Sequence, residues 1–112
     1  MIIYHNPKCR KSRAGLEYVK QRDNSVIVKE YIREGILPEE IGKLAQMLNI
    51  KPFEMVRTQE DYYRDVLKGK EISDEQWLAI LSEYPRLLRR PILVNGDRAV
   101  IADPAEKADE II

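Results

Sequence analysis

The two ends of this chain carry strand patterns that demand a crossover on one side and a hairpin on the other. Met1-Ile2-Ile3-Tyr4 and Val26-Ile27-Val28 are short apolar runs. His5-Asn6-Pro7 follows the first as turn chemistry, and Asp23-Asn24-Ser25 precedes the second. Residues 13–21 between them hold Ala14, Leu16, Tyr18 and Val19, with Gly15 as the sole breaker, and predict a helix. Two short strands joined through a helix pair in parallel with a right-handed crossover, a βαβ unit. Near the other end, Ile92-Leu93-Val94, Asn95-Gly96 and Arg98-Ala99-Val100-Ile101 predict a hairpin, because Asn-Gly suits the turn that matches strand twist. Asp103-Pro104-Ala105-Glu106 then reads as an N-cap, a proline at the first helical position and a capping-box glutamate, opening a last helix.

The middle of the chain is helical. Pro38 suits a first helical position, and residues 39–48 place Ile41, Leu44, Ala45 and Leu48 at helical spacing. Residues 51–56 and 60–67 read as shorter helices. Ser73-Asp74-Glu75-Gln76 has capping-box spacing and starts a helix through residue 83, with Trp77, Ile80 and Leu81 facing inward. The order βαβ, helices, ββα predicts an α/β, thioredoxin-like fold: a four-stranded mixed sheet with a helical insertion between its halves. Such a fold sets an active cysteine at the start of the first helix and a cis-proline before the third strand. Pro91, directly before Ile92, occupies that place.

Residues 1–112 read as one domain, long enough for a hydrophobic core. Nineteen Lys and Arg balance nineteen Asp and Glu, which argues against a broad basic footprint for nucleic acid or anionic lipid. No apolar run has the length of a membrane span, and the N-terminus lacks a signal-peptide pattern. One cysteine makes no internal disulfide, and no zinc-ligand cluster is legible, so no metal is expected and the cytoplasm is the expected location.

That cysteine, Cys9, falls where the first strand gives way to the first helix. A helix start presents unpaired N–H groups and partial positive charge, both of which favour a thiolate. Cysteines so placed have pKa values down to roughly 3.5–7.5. A lone cysteine is otherwise a small buried hydrophobe. Ser12, three residues on, puts a hydroxyl where a dithiol enzyme keeps its resolving cysteine, and that hydroxyl can turn back toward the sulfur. Disulfide chemistry at Cys9 therefore needs an external thiol.

His5 either helps to stabilise the thiolate or is a satisfied loop histidine, and Asn6 can organise the loop through side-chain bonds to the backbone. Lys8, Arg10, Lys11 and Arg13 oppose the helix dipole. They either point into water or surround a thiolate and an incoming anion. Arg57 and Arg90 carry planar forks suited to tetrahedral oxyanions. Both could equally be surface arginines, less readily for Arg90, which adjoins Pro91.

Ile3-Tyr4-His5-Asn6-Pro7-Lys8-Cys9 resembles the active-site opening of the glutathione/glutaredoxin-coupled arsenate reductases. Arg57 with Glu60 and Tyr63, and then Arg90-Pro91-Ile92, resemble later landmarks of that family, in order over nearly the whole chain. The resemblance implies that Cys9 attacks arsenate held by Arg57 and Arg90 while His5 and Ser12 tune the sulfur. Asn6 and Pro91 shape the site. Glutathione then serves as co-substrate, glutaredoxin restores the thiol, and no bound cofactor is needed.

The pattern also departs from the family. Members that reduce arsenate carry a third arginine before a proline after the hairpin, where this chain has Asp103 before Pro104. Arg10-Lys11 is bulkier than the small residues that would leave room between cysteine and serine. A glutathione-dependent thiol/disulfide exchanger with little arsenate activity is the alternative. A non-catalytic interaction module ranks third: fold relatives that regulate RNA polymerase use a Cys-x-x-Cys switch, which Ser12 rules out here.

Overall fold

The computed structural model describes Met1–Ile112. Two compact units are present, one formed by Met1–Gly35 with Arg90–Ile112 and the other by Ile36–Arg89. The second is inserted in the chain between the two parts of the first.

The first unit holds strands β1 (Ile2–Tyr4), β2 (Ile27–Lys29), β3 (Ile92–Asn95) and β4 (Arg98–Ile101), in the order β2-β1-β3-β4. β1 runs parallel to β2 and antiparallel to β3, and β3 runs antiparallel to β4. Helix α1 (Arg10–Arg22) makes the β1-to-β2 crossover, and the one-turn helix α2 (Tyr31–Glu34) follows β2. Register sets Val28, Ile3, Leu93 and Val100 opposite one another across the four strands. That row shares one face of the pleat. It packs with Val19, Ala102, Ala108 and Ile111 into the core of this unit.

The buried stripe of α1 is Ser12, Gly15 and Val19, whereas Ala14 is exposed. A serine and a glycine supply two of the three inward positions, so an apolar count places this face wrongly. Gly15 is there for closeness: a Cβ on it would lie 2.5 Å from Pro91 Cγ and 3.2 Å from the Ala102 carbonyl oxygen. The Arg90–Pro91 peptide is cis, as the fold reading requires, and so is Asp103–Pro104.

Two turn assignments change. Asn95 is still a strand residue paired with Arg98, so the hairpin loop is Gly96-Asp97, not Asn95-Gly96. Gly96 has φ +64 while Asp97 stays at negative φ, the pattern of a turn whose first central residue alone is left-handed. Asp103 does not cap the last helix. Pro104 stays extended, and a 3₁₀ helix begins at Ala105 and runs to Glu110 with no side-chain cap. The Asp103 carboxylate is bound instead to Lys11, and its N–H to the Ile101 carbonyl.

In the second unit α3 (Pro38–Leu48) packs on α4 (Asp74–Glu83). Pro38 opens α3, and Asn49 closes it in the left-handed conformation, φ 57. The capping box of α4 is complete: Gln76 N–H donates to Ser73 Oγ at 3.2 Å, and Ser73 N–H donates to Gln76 Oε1 at 2.8 Å. Ile41, Leu44, Met55, Leu81 and Leu87 are buried, while Leu48 and Ile80 are half-buried. The helix expected at residues 60–67 is largely a π-helical turn, Tyr63–Leu67. No helix is long and apolar enough to cross a membrane.

Candidate active site

The β1-to-α1 loop is tied down residue by residue. His5 N–H donates to the Lys29 carbonyl at 2.9 Å and extends the β1–β2 ladder. The Asn6 side chain accepts from Lys8 N–H at 3.0 Å, and its carbonyl accepts from Cys9 N–H at 3.0 Å, so Asn6 organises the turn. Cys9 is the N-cap of α1, with extended backbone at φ −99 and ψ 124. Its side chain therefore stands where a capping serine or aspartate oxygen would stand, before the open amides of the first turn.

The resting sulfur makes no formed cap bond. Its acidity nonetheless shows what surrounds it. Burial pushes the thiol up, but the Ser12 amide, the hydrogen bond and charge of the Arg90 guanidinium, and the Lys11 amide together bring Cys9 below the ordinary cysteine value. Arg90 is itself 6% exposed, so its charge acts with little solvent screening. Cys9 and Arg90 thus share one place in the first unit.

His5 and Ser12 meet each other. Ser12, fully buried, accepts from Asn6 N–H at 2.9 Å, and its hydroxyl lies 2.7 Å from His5 Nδ1. The hydroxyl is therefore engaged away from the sulfur, and it is the Ser12 amide that serves Cys9. Burial holds His5 below the ordinary histidine value, outweighing the opposing pull of Glu30 and of hydrogen bonding at Ser12.

The flanking cations divide in favour of the solvent reading. Lys8, Arg10, Lys11 and Arg13 are all exposed. Arg13 Nη1 donates to the Pro7 carbonyl at 2.9 Å, and Lys11 Nζ stands 3.3 Å from Asp103 Oδ2. The Lys11–Asp103 pair was not legible from sequence separation, and a cap-like Asp-Pro dipeptide disguised it. Arg57 belongs to the second unit, where its amide donates to the Leu87 carbonyl at 2.7 Å. Its Nε pairs with Glu60 Oε2 at 3.1 Å, with the guanidinium side chain 17% exposed.

A mixed sheet of this order, with a cysteine favouring its thiolate at the start of the first helix and a cis-proline at the start of the third strand, defines a thioredoxin-like thiol protein. The chain belongs to the ArsC family, whose model matches residues 4–111. It is 33% identical over 114 residues to an arsenate reductase of Haemophilus influenzae, covering 100% of this chain and 98% of that protein. A solved arsenate reductase from Vibrio cholerae superposes with TM-score 0.94 at 34% identity, covering 99% of this chain and 96% of the other. An ArsC-family-related protein of Bacteroides fragilis keeps the fold alone at 13% identity, with TM-score 0.80 over 95% of this chain and 96% of its own. The family is one of oxidoreductases.

Proposed function

We propose that this chain is a monothiol oxidoreductase of the arsenate reductase type, using glutathione as co-substrate and glutaredoxin as the restoring partner. One observation carries the reading: the Ser12 and Lys11 amides and the buried Arg90 guanidinium all favour the thiolate of Cys9. The same groups suit an oxyanion, since helix-start amides and an arginine fork both donate to negative oxygen.

In the first step Cys9 thiolate bonds to As(V) of arsenate and an oxygen leaves as water. Glutathione thiolate then attacks the Cys9 sulfur. The S–S bond forms, the S–As pair passes to arsenic, and arsenite departs as As(III). The mixed disulfide is reduced by glutaredoxin, returning Cys9 as thiolate. His5 and Ser12 hold the loop that presents the sulfur, with Asn6 and Pro91 shaping it. The resemblance carries Arg57 over as a second oxyanion ligand. The cytoplasm, where glutathione is kept reduced, suits this cycle.

Purified protein with arsenate, glutathione and glutaredoxin is expected to release arsenite. Cys9→Ser should abolish turnover, and Arg57→Ala or Arg90→Gln should lower it. Absence of turnover in the unaltered protein overturns arsenate as substrate.

A second reading, thiol/disulfide exchange on another substrate, is favoured by Asp103, whose carboxylate sits on the first turn of α1 through Lys11. Negative charge there repels a doubly charged anion. Glutathione-dependent reduction of a small disulfide without arsenate turnover supports this reading, particularly if Asp103→Arg then gains arsenate activity.

A further inference from the structure

Asn95 and Gly96 stand together at the tip of the β3–β4 hairpin, and the pair is composed for a reaction within the chain. Gly96 is exposed, and a Cβ built on it would meet nothing within 4 Å beyond its chain neighbours, so its backbone nitrogen is open to attack a preceding side chain. Asn95 is half-buried. Its Nδ2 donates to the Ile111 carbonyl at 2.6 Å, and Arg98 Nη2 donates to the same oxygen at 3.4 Å. Ile111 is the C-cap of the last helix and is buried in the core of the first unit.

The reaction needs no reagent but water. The Gly96 nitrogen gives its proton to solvent and bonds to Asn95 Cγ, the Cγ–Nδ2 bond breaks, and Nδ2 leaves as ammonia. Water then opens the cyclic imide at one carbonyl or the other, leaving aspartate or isoaspartate at this position. Closure requires the side chain to leave Ile111 and the Asn95 backbone to rotate out of its extended form. The 2.6 Å bond opposes the first movement, and pairing with Arg98 across the hairpin opposes the second. The other asparagines are worse placed. Asn6 precedes proline, which has no N–H to lose. Asn24 and Asn49 precede side-chain-bearing residues whose amides are engaged, Ser25 N–H with Asp23 Oδ1 and Ile50 N–H with the Ala45 carbonyl.

We propose that Asn95 is a self-modification site, converted to aspartate or isoaspartate through attack by the Gly96 nitrogen, with its bond to the Ile111 carbonyl setting the rate. The conversion is one-way, because the ammonia is lost. It also undoes what held it back. A carboxylate has no proton to give the Ile111 carbonyl, and it draws the Arg98 guanidinium to itself. The last helix, which Asp109 ties to Tyr18 and Arg22 of α1 at 2.6 and 3.2 Å, then loses its hold on the hairpin. Cys9 takes no part.

The test incubates the folded protein in mildly alkaline buffer and follows amide-to-acid conversion at each asparagine by peptide mapping. Conversion should appear at Asn95 before Asn6, Asn24 or Asn49. In urea that unfolds the chain, the rate at Asn95 should rise at least about tenfold, because the opening is then complete. Ile111→Ala, which unseats the carbonyl, should raise the folded-state rate roughly 3- to 10-fold. Tyr18→Phe removes one tie of the last helix to α1 while sparing the core, and should raise the rate by at least about twofold. Ile41→Val, a loosening in the core of the second unit, should leave it unchanged. A folded-state rate within about twofold of the unfolded one, or an equal rise from Ile41→Val, overturns the gating by Ile111. Conversion that begins at Asn24 or Asn49, or none at Asn95 even in the loosened variants, overturns Asn95 as the site.

Discussion

Replacing Gly15 with alanine probes how the site is held, because Arg90 reaches Cys9 only if α1 lies close against the start of β3. The added methyl would fall 2.5 Å from Pro91 Cγ and 3.2 Å from the Ala102 carbonyl oxygen. Carbon atoms in comfortable contact are about 3.5–4.0 Å apart, so helix and proline must separate by roughly 1 Å. Neither neighbour yields easily. Pro91 is fully buried, and its carbonyl accepts from Ala102 N–H at 2.9 Å. Overpacking of this kind costs about 1–3 kcal/mol. Alanine recovers about 1 kcal/mol of helix propensity. The net loss is then about 0–2 kcal/mol, or up to roughly 8 °C in Tm. Separation also draws Arg90, bonded directly to Pro91, away from the sulfur, so the Cys9 pKa should rise. Urea unfolding measures the first effect, and the pH dependence of iodoacetamide alkylation measures the second. A Gly15→Ala protein as stable as the original, with an unchanged thiol titration, would refute the close-approach reasoning.

Ser12→Ala removes the acceptor of the Asn6 N–H and the partner of His5 Nδ1. Urea unfolding should show a loss of about 2–4 kcal/mol. Alkylation should still report a depressed Cys9 pKa, because alanine keeps the amide that serves the sulfur. His5 has a folded-state pKa below its unfolded value, so the unfolded chain binds its proton more readily. Stability should therefore fall as pH drops from about 6.5 toward the folded value and level off beneath it. His5→Gln should flatten that fall in denaturant midpoints taken across the window, and an unaltered slope would assign it to other groups.

The parts of the molecule legible in the residues are those governed by local chemistry. The β-branched runs, Pro38, the Ser73–Gln76 box and the position of Cys9 at a helix start all depend on neighbours within a turn, and all are realised. Arg90–Pro91 was readable because a strand follows it immediately. Where partners lie far apart in sequence the reading slipped. The Asp103 carboxylate had a complete local explanation as a cap, but an ammonium at Lys11 claims it. Ser12 looked like a donor to sulfur, but a buried imidazole and a loop amide take its hydroxyl. The inward face of α1 escaped an apolar count because it depends on the smallness of Gly15 and the satisfied polarity of Ser12. The hairpin loop moved by one residue because Asn95 pairs with Arg98 and leaves the left-handed position to Gly96.

Ser12 is fully buried three residues beyond Cys9, with its hydroxyl committed, and the chain has no second cysteine. A disulfide on this protein is therefore always a conjugate with another molecule. The chain cannot store an oxidising equivalent within itself, as a dithiol does by closing a ring. Each such oxidation adds a partner's mass and covers part of the surface around the helix start. Release is bimolecular, so the reset rate scales with the concentration of the outside thiol. The redox history of a population of these molecules is accordingly written in intact mass, one adduct per chain.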